Sequence, residues 1–274
     1  MPAAIQETMQ ALLGRVAIVL VAPKYPENVG AAARVAMNMG ISRLIVVSDA
    51  LPDPARMAKM ATHNAAHLID ALEHHACLAA ALAPFACVVG TTARQGRQRR
   101  AVVEPAAMVA AVLPMLAHNQ VALVFGPEDR GLTNQDLNLC TLFTTIPTLD
   151  FASLNLAQAV AIITYELASG LRRQLTGPEA GVWAPRQASS RELEEMYAHV
   201  GEMLCTVGFL REQDQDDGYW MRAVRQFLGR IGLRSREVRN IRGFCRRFLW
   251  YDRLQRDEGQ SGRVAEGQSG RVAK

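Results

Sequence analysis

Three short clusters carry residue types that could do chemistry on a bound ligand. The first is Asn28-Val-Gly30-Ala-Ala-Ala-Arg34, an amide, a glycine and a guanidinium within about two turns of a helix. Arg34 falls one turn after Gly30 on the same helix face. The second is Val124-Phe-Gly126-Pro-Glu128-Asp-Arg130-Gly131-Leu132, in which two glycines bracket a carboxylate and a guanidinium. The third is Ser153-Leu154-Asn155-Leu156, a hydroxyl and an amide at the start of an apolar helix. Each has an ordinary explanation when taken alone: a surface arginine, a Gly/Pro turn, a helix cap. Their chemistry would be polar recognition of a ligand by backbone donors and a few side chains, since a helix N-terminus presents free N–H groups and a positive dipole end.

The elements that must hold these clusters are legible from periodicity. Arg15 to Val21 is a continuous apolar run, as expected of a buried parallel strand. A helix follows through Met39, stopped by Gly40. Arg43 to Val47 reads as a second strand, Pro54 to Ala83 as mostly helical, and Phe85 to Gly90 as a third strand. Thr91 to Arg100 is a basic loop, and Pro105 opens a helix through about Ala117. Val121 to Phe125 and Leu142 to Ile146 are the fourth and fifth strands, with a short helix over Thr133 to Asn138 between them. Ser153 reads as the N-cap of a long helix whose apolar face is Leu156, Val160, Ile163, Leu167 and Leu171. Strands alternating with helices predict an α/β fold with a parallel sheet. All three clusters then fall at strand-to-helix transitions, where such sheets bind ligands.

The chain of 274 residues carries a net charge of +4, but the charge is unevenly placed. Residues 1 to 170 are close to neutral, whereas Arg222 to Arg256 holds eleven arginines against Glu237 and Asp252. Arginine grips phosphate in a bidentate fork, so this segment suggests a polyanionic partner or, equally, a solvated helix face. Gly177, Pro178, Gly181 and Pro185 mark an interdomain linker. Helical patterns follow over Ser190 to Val207, Tyr219 to Ile231 and Ser235 to Leu254, with Ser190 and Ser235 as N-cap candidates. The octapeptide EGQSGRVA then occurs twice in succession. The expected organisation is a ligand-binding domain over 1–172, a linker over 173–189, a basic helical extension over 190–255 and a disordered repeat tail over 256–274.

Several classes are disfavoured. No run approaches the roughly 18 apolar residues of a membrane span, and the N-terminus lacks the basic start of a secretory signal. Five cysteines without CxxC spacing read as reduced thiols of a cytoplasmic protein. His63 and His67 stand four apart, but Asn64 occupies the place where a zinc protease needs glutamate, so these read as surface or structural histidines and no metal is expected. A single glycine at the first strand end does not make a dinucleotide fingerprint.

Together the three clusters resemble the SpoU/TrmH branch of the SPOUT RNA methyltransferases, and within it the TrmJ subfamily. Asn28 to Arg34 looks like motif 1, Leu123 to Leu132 like motif 2, and Ile146-Pro147 with Ser153 to Ala159 like motif 3. Order and spacing agree over about Arg15 to Gly170. Val89 to Arg94 and the basic extension also have counterparts, the latter loosely, whereas the repeat tail has none.

The resemblance implies a SPOUT fold with a deep trefoil knot, an obligate homodimer with a composite active site, and S-adenosyl-L-methionine as methyl donor. It implies a cofactor site lined by Thr91, Thr92, Ala93, Gly126, Ile146, Ser153 and Leu154, with Arg34 and Asn28 facing the target ribose and Asn155 and Glu128 nearby. RNA contacts are expected from Arg94, Arg97, Arg99 and Arg100 in the basic loop and from Arg239, Arg242 and Arg246 in the extension. The implied reaction is 2′-O-methylation of tRNA, at a pyrimidine opening the anticodon loop. A ribose hydroxyl must lose or weaken its proton to attack a methyl group. An arginine with a pKa above about 12 is a poor base, so Arg34 is read as a donor that orients phosphate or stabilises developing alkoxide. A sulfonium leaving group needs no metal. The alternatives are rRNA as the substrate, a non-catalytic RNA-binding protein of the same fold, and an unrelated α/β nucleotide-binding enzyme.

Overall fold

The computed structural model describes residues 2–92, 102–149, 154–177, 186–211 and 219–269. Two compact units divide the chain, Met1–Arg191 and Glu192–Lys274.

The first unit is built on seven parallel strands. They are β1 (Val16–Val21), β2 (Arg43–Val47), β3 (Glu73–His75), β4 (Cys87–Thr91), β5 (Val102–Val103), β6 (Val121–Phe125) and β7 (Leu142–Thr144), in the order β3-β2-β1-β6-β4-β7-β5. Every pairing is parallel. The central strands β1 and β6 are buried along their whole length, as a sheet covered on both faces requires. Alternate residues serve the two faces. Val16, Ile18 and Leu20 pack with α1 (Ala3–Leu13), α2 (Pro26–Met39), α5 (Pro105–Val112) and α7 (Leu156–Thr176). Ala17 and Val19 pack with α4 (Leu78–Leu82) and with Leu137 of α6 (Asn134–Asn138). Because β4 lies between β6 and β7, the connection from β6 to β7 must cross β4.

Several expectations are corrected. The segment 54–83 is mostly helical, as expected, but α3 (Pro54–Asp70) is kinked at Thr62, where φ is 61°, and the strand β3 separates it from α4. β3 was hidden because Glu73-His74-His75 is polar and lies at the sheet edge. The third strand begins at Cys87 and β7 ends at Thr144. The N-cap of α7 is Asn155, not Ser153: its Oδ1 accepts from the N–H of Ala157 and of Gln158. Ser153 itself lies outside the described residues, as do Ala93, Arg94, Arg97, Arg99 and Arg100. Both ends of the expected linker are structured: α7 continues to Thr176, and residues 186–191 pack on the first unit. There the Gln187 N–H donates to Asn119 Oδ1 at 2.6 Å, Ala188 is buried, and the Ser190 hydroxyl donates to the Phe85 carbonyl.

The second unit contains α8 (Ser190–Thr206), which opens just before the unit boundary, α9 (Tyr219–Ile231) and α10 (Ser235–Ser269). Met196, Tyr197, Val200, Met221, Val238, Cys245 and Leu249 are buried within it. Acids of α8 take arginines of the other two helices: Glu194 holds Arg225 and Glu195 holds Arg242, each at 2.6 Å, and Glu202 holds Arg253 at 3.4 Å. Arg242, expected to meet RNA, is ion-paired with Glu195. Ser235 is not the cap of α10. Its hydroxyl donates to Glu192, while Glu237 accepts from the N–H of Arg234, the preceding residue. The backbone of α10 stays helical through residues 256–269, where composition predicts disorder. A helix already nucleated extends at one new hydrogen bond per residue fixed.

Candidate active site

The carboxyl ends of β4, β6 and β7 converge on one cleft of about 320 Å³. Its walls include Phe125, Leu132, Ile146, Leu154 and Leu156, with Thr91, Thr92 and the loop 126–131 around them. That loop turns back on itself. The Gly131 N–H donates to the Pro127 carbonyl, and Gly131 takes a left-handed φ of 67°. A Cβ on Gly126 would collide with the backbone of Gly131 and Leu132, so only glycine allows this closure. Thr91 is committed locally, its hydroxyl donating to the Val124 carbonyl at 3.0 Å.

A chain of polar contacts ties the cleft rim together. Glu128 accepts from the Asn28 side-chain amide at 2.5 Å through one oxygen and from the Lys24 N–H at 3.0 Å through the other. The Asn155 amide donates to Asn28 Oδ1 at 3.0 Å. Asn155 Oδ1 meanwhile caps α7. These bonds fix both amide orientations, because each oxygen faces donors and each nitrogen an acceptor. The carboxylate receives charge-assisted hydrogen bonds, about twice as strong as neutral ones. Lys24 was missed by sequence reasoning. Its backbone is presented by Ala22, a non-glycine residue at φ 45° immediately after β1, and its ammonium lies 3.7 Å from Asp129. No local pattern announces such a residue.

Of the expected cofactor residues in the described regions, the cleft gathers Thr91, Thr92, Gly126, Ile146 and Leu154, and Glu128 with them. Asn28 and Asn155 join it through hydrogen bonds. Arg34 does not line it: the side chain is exposed on α2 and makes no hydrogen bond or ion pair among the described residues. Gly30 proves to serve helix packing, since a Cβ there would collide with the Met57 carbonyl of α3. No group of three or more His, Cys, Asp or Glu among the described residues is placed to hold a metal.

A parallel sheet with a cleft across its carboxyl edge, walled by a glycine-closed loop, is the arrangement in which open α/β proteins bind small ligands. Residues 15–165 match the model of the SpoU rRNA Methylase family, and residues 191–259 that of the tRNA methyltransferase TrmJ, C-terminal domain. The chain belongs to the TrmJ family of SpoU methylases. It is 35% identical over 246 residues to the tRNA (cytidine/uridine/adenosine-2′-O-)-methyltransferase TrmJ of Pseudomonas aeruginosa, covering 85% of this chain and 93% of that one. It is 32% identical over 239 residues to the tRNA (cytidine/uridine-2′-O-)-methyltransferase TrmJ of Escherichia coli K12, with 85% and 94% covered. The crystal structure of TrmJ from Z. mobilis ZM4 superposes with a TM-score of 0.71 at 30% identity, over 85% of this chain and 98% of that one.

Proposed function

We propose that the protein transfers a methyl group from S-adenosylmethionine to the ribose 2′-hydroxyl of tRNA, at a cytidine or uridine of the anticodon loop. The observation that carries this reading is the cleft joined to the Glu128–Asn28–Asn155 chain, in a member of a family whose relatives are named as tRNA 2′-O-methyltransferases acting on cytidine and uridine.

The cleft suits the cofactor. Its volume is at the scale of small-molecule sites, its apolar walls suit an adenine ring, and Glu128 and Asp129 on its lining suit a sulfonium cation. Thr91, Thr92, Gly126, Ile146 and Leu154 would hold it, with Ala93 and Ser153 adjoining in sequence. When bound, the cofactor supplies a methyl on an already activated leaving group.

The chain's own task is to place a ribose hydroxyl in line with that methyl and to ease departure of its proton. Asn28 is held rigidly by Glu128 and Asn155, so its amide is a fixed reference for the ribose. Glu128 already accepts from two donors, which makes it a positioning residue rather than a base. Arg34 offers a permanent cation to the phosphate or to alkoxide character at O2′. Because Arg34 does not line its own cleft, we place it against the cleft of a second copy, giving a homodimer with two composite sites. The exposed Met37 on α2 and Ile162 and Tyr165 on α7 suit burial in such an interface. The trefoil knot belongs to the same reading, with the chain crossing over β4. Arg239 and Arg246 of α10 remain candidates for RNA contact.

The test pairs calorimetry with turnover. S-adenosylmethionine should bind the protein alone, and label from its methyl group should pass to tRNA. Binding without transfer to any RNA would leave the non-catalytic reading in its place. Transfer to rRNA in preference to tRNA would favour the substrate that the SpoU family name carries.

A further inference from the structure

We propose that the outward face of α10 is a stacking platform for unpaired nucleobases of the RNA substrate. This rests on the tRNA reading and adds to it a recognition mode that charge alone does not give. α10 is apolar on two sides. Val238, Cys245 and Leu249 are buried in the second unit. On another side Phe244, Phe248 and Tyr251, spaced four and three apart, stand in one row and are 73%, 37% and 59% exposed. Trp250, 49% exposed, flanks them, with the Arg247 guanidinium 4.2 Å from its ring centroid. Four large aromatics left facing outward on about two turns of one helix are a binding surface, since monomers seldom leave such a patch uncovered.

The arginines around this row identify the occupant. The acids of α8 take Arg225, Arg242 and Arg253. Arg236, Arg239 and Arg246 on α10 are exposed and have no ion pair among the described residues. Gly243 lies between the arginine flank and the aromatic row, and a Cβ there would meet nothing, so the surface is open at its centre. An apolar protein partner would have to desolvate these cations without compensation. A single-stranded polynucleotide offers what the surface lacks: phosphates for the arginines and base faces for the rings. Duplex RNA keeps its base faces stacked internally and can engage only the arginines.

The test uses the full chain and measures equilibrium binding to two probes, a tRNA transcript and a continuous RNA duplex with the same number of phosphates. Phe244→Ser/Phe248→Ser/Tyr251→Ser should weaken tRNA binding by about tenfold or more, at the low end of base–aromatic stacking. It should leave duplex binding and the salt slope as in the wild type, because no cation is removed. Arg239→Gln/Arg246→Gln should weaken both probes and flatten the log–log salt dependence by roughly 0.7–0.9 per lost phosphate contact. Phe244→Tyr/Phe248→Tyr should bind like the wild type, which separates stacking from general damage to the fold. The proposal is overturned if the triple serine variant binds tRNA normally, or if it loses both probes equally. It is also overturned if sedimentation shows that the variant has lost self-association while keeping its tRNA affinity, because the face is then a protein interface. A wild type that fails to bind tRNA at all removes the tRNA reading itself.

Discussion

The Asn155 side-chain amide donates to Asn28 Oδ1 at 3.0 Å, joining the N-terminus of α7 to that of α2 across 127 residues of sequence. Asn155 therefore holds two positions at once, because its Oδ1 caps its own helix. The two roles can be separated. Asn155→Ala should remove both, lowering stability by about 1 kcal/mol in a urea titration, as the loss of a good cap does, and reducing methyl transfer. Asn155→Asp keeps an excellent cap but replaces the donor to Asn28 with a carboxylate oxygen. It should retain the urea midpoint and still lose transfer. Equal activity in Asn155→Asp and wild type would show that the contact with Asn28 is incidental.

Gly126 sets the shape of the cleft through what it lacks. Since a Cβ would collide with the backbone of Gly131 and Leu132, Gly126→Ala must open the loop 126–131. We expect a cofactor dissociation constant raised by an order of magnitude or more in calorimetry, with stability lowered by about 1–3 kcal/mol, the usual cost of overpacking. Gly131→Ala meets no neighbour but keeps a left-handed φ of 67°, so it should cost backbone strain of about 1 kcal/mol and leave the cleft wall in place.

Cys87 gives the fold a definite response to alkali. Burial pushes its thiol from 9.0 up to about 11, partly offset by the Thr141 hydroxyl. The folded state thus disfavours the thiolate relative to the unfolded chain. Its contribution is complete below about pH 9 and is lost as the pH rises from there through about 11. Cys87→Ala should flatten the fall in melting temperature over that window. In the native protein at neutral pH, a thiol reagent should modify exposed Cys77 and spare Cys87.

The sequence shows the buried framework well and the site connections poorly, for a physical reason. Runs such as Val16–Val21 and Val121–Phe125 are apolar because both faces of the sheet are covered, and Gly40 ends α2 in the left-handed conformation that glycine favours. β3 escaped because an edge strand at the rim need not be apolar, and β5 because two residues carry no period. The three clusters lie at the carboxyl edge of the sheet, as their strand-to-helix placement predicts. Their division of labour was not legible, since the Glu128–Asn28–Asn155 chain depends on which strand ends adjoin. Gly30 stood in a cluster read as facing a ligand, whereas its missing side chain makes room for α3. Arg242 looked like its neighbours in an arginine-rich helix, and only the fold shows Glu195 beside it.

Arg34 tests the dimer. Arg34→Ala should keep the fold and bind cofactor normally while losing about 10²–10³ in transfer rate, the usual cost of removing one preorganised donor. Gly126→Trp should fold less well and lose cofactor binding. Co-expressed with distinct tags, the two inactive chains should give mixed dimers in which one site carries both lesions and the other neither, restoring about half the activity of a wild-type dimer if the sites are independent. Mixed dimers that form and stay inactive would place Arg34 in the site of its own chain.

The reaction itself is tested most directly by mapping the product. A methyl on O2′ removes the hydroxyl that attacks the neighbouring phosphate in alkali, so that linkage alone should resist hydrolysis. After incubation with S-adenosylmethionine and the protein, an end-labelled tRNA transcript should show one gap in its alkaline ladder, after a cytidine or uridine of the anticodon loop, and Arg34→Ala should abolish it. An uninterrupted ladder alongside stoichiometric methyl incorporation would place the methyl on a base and contradict the account.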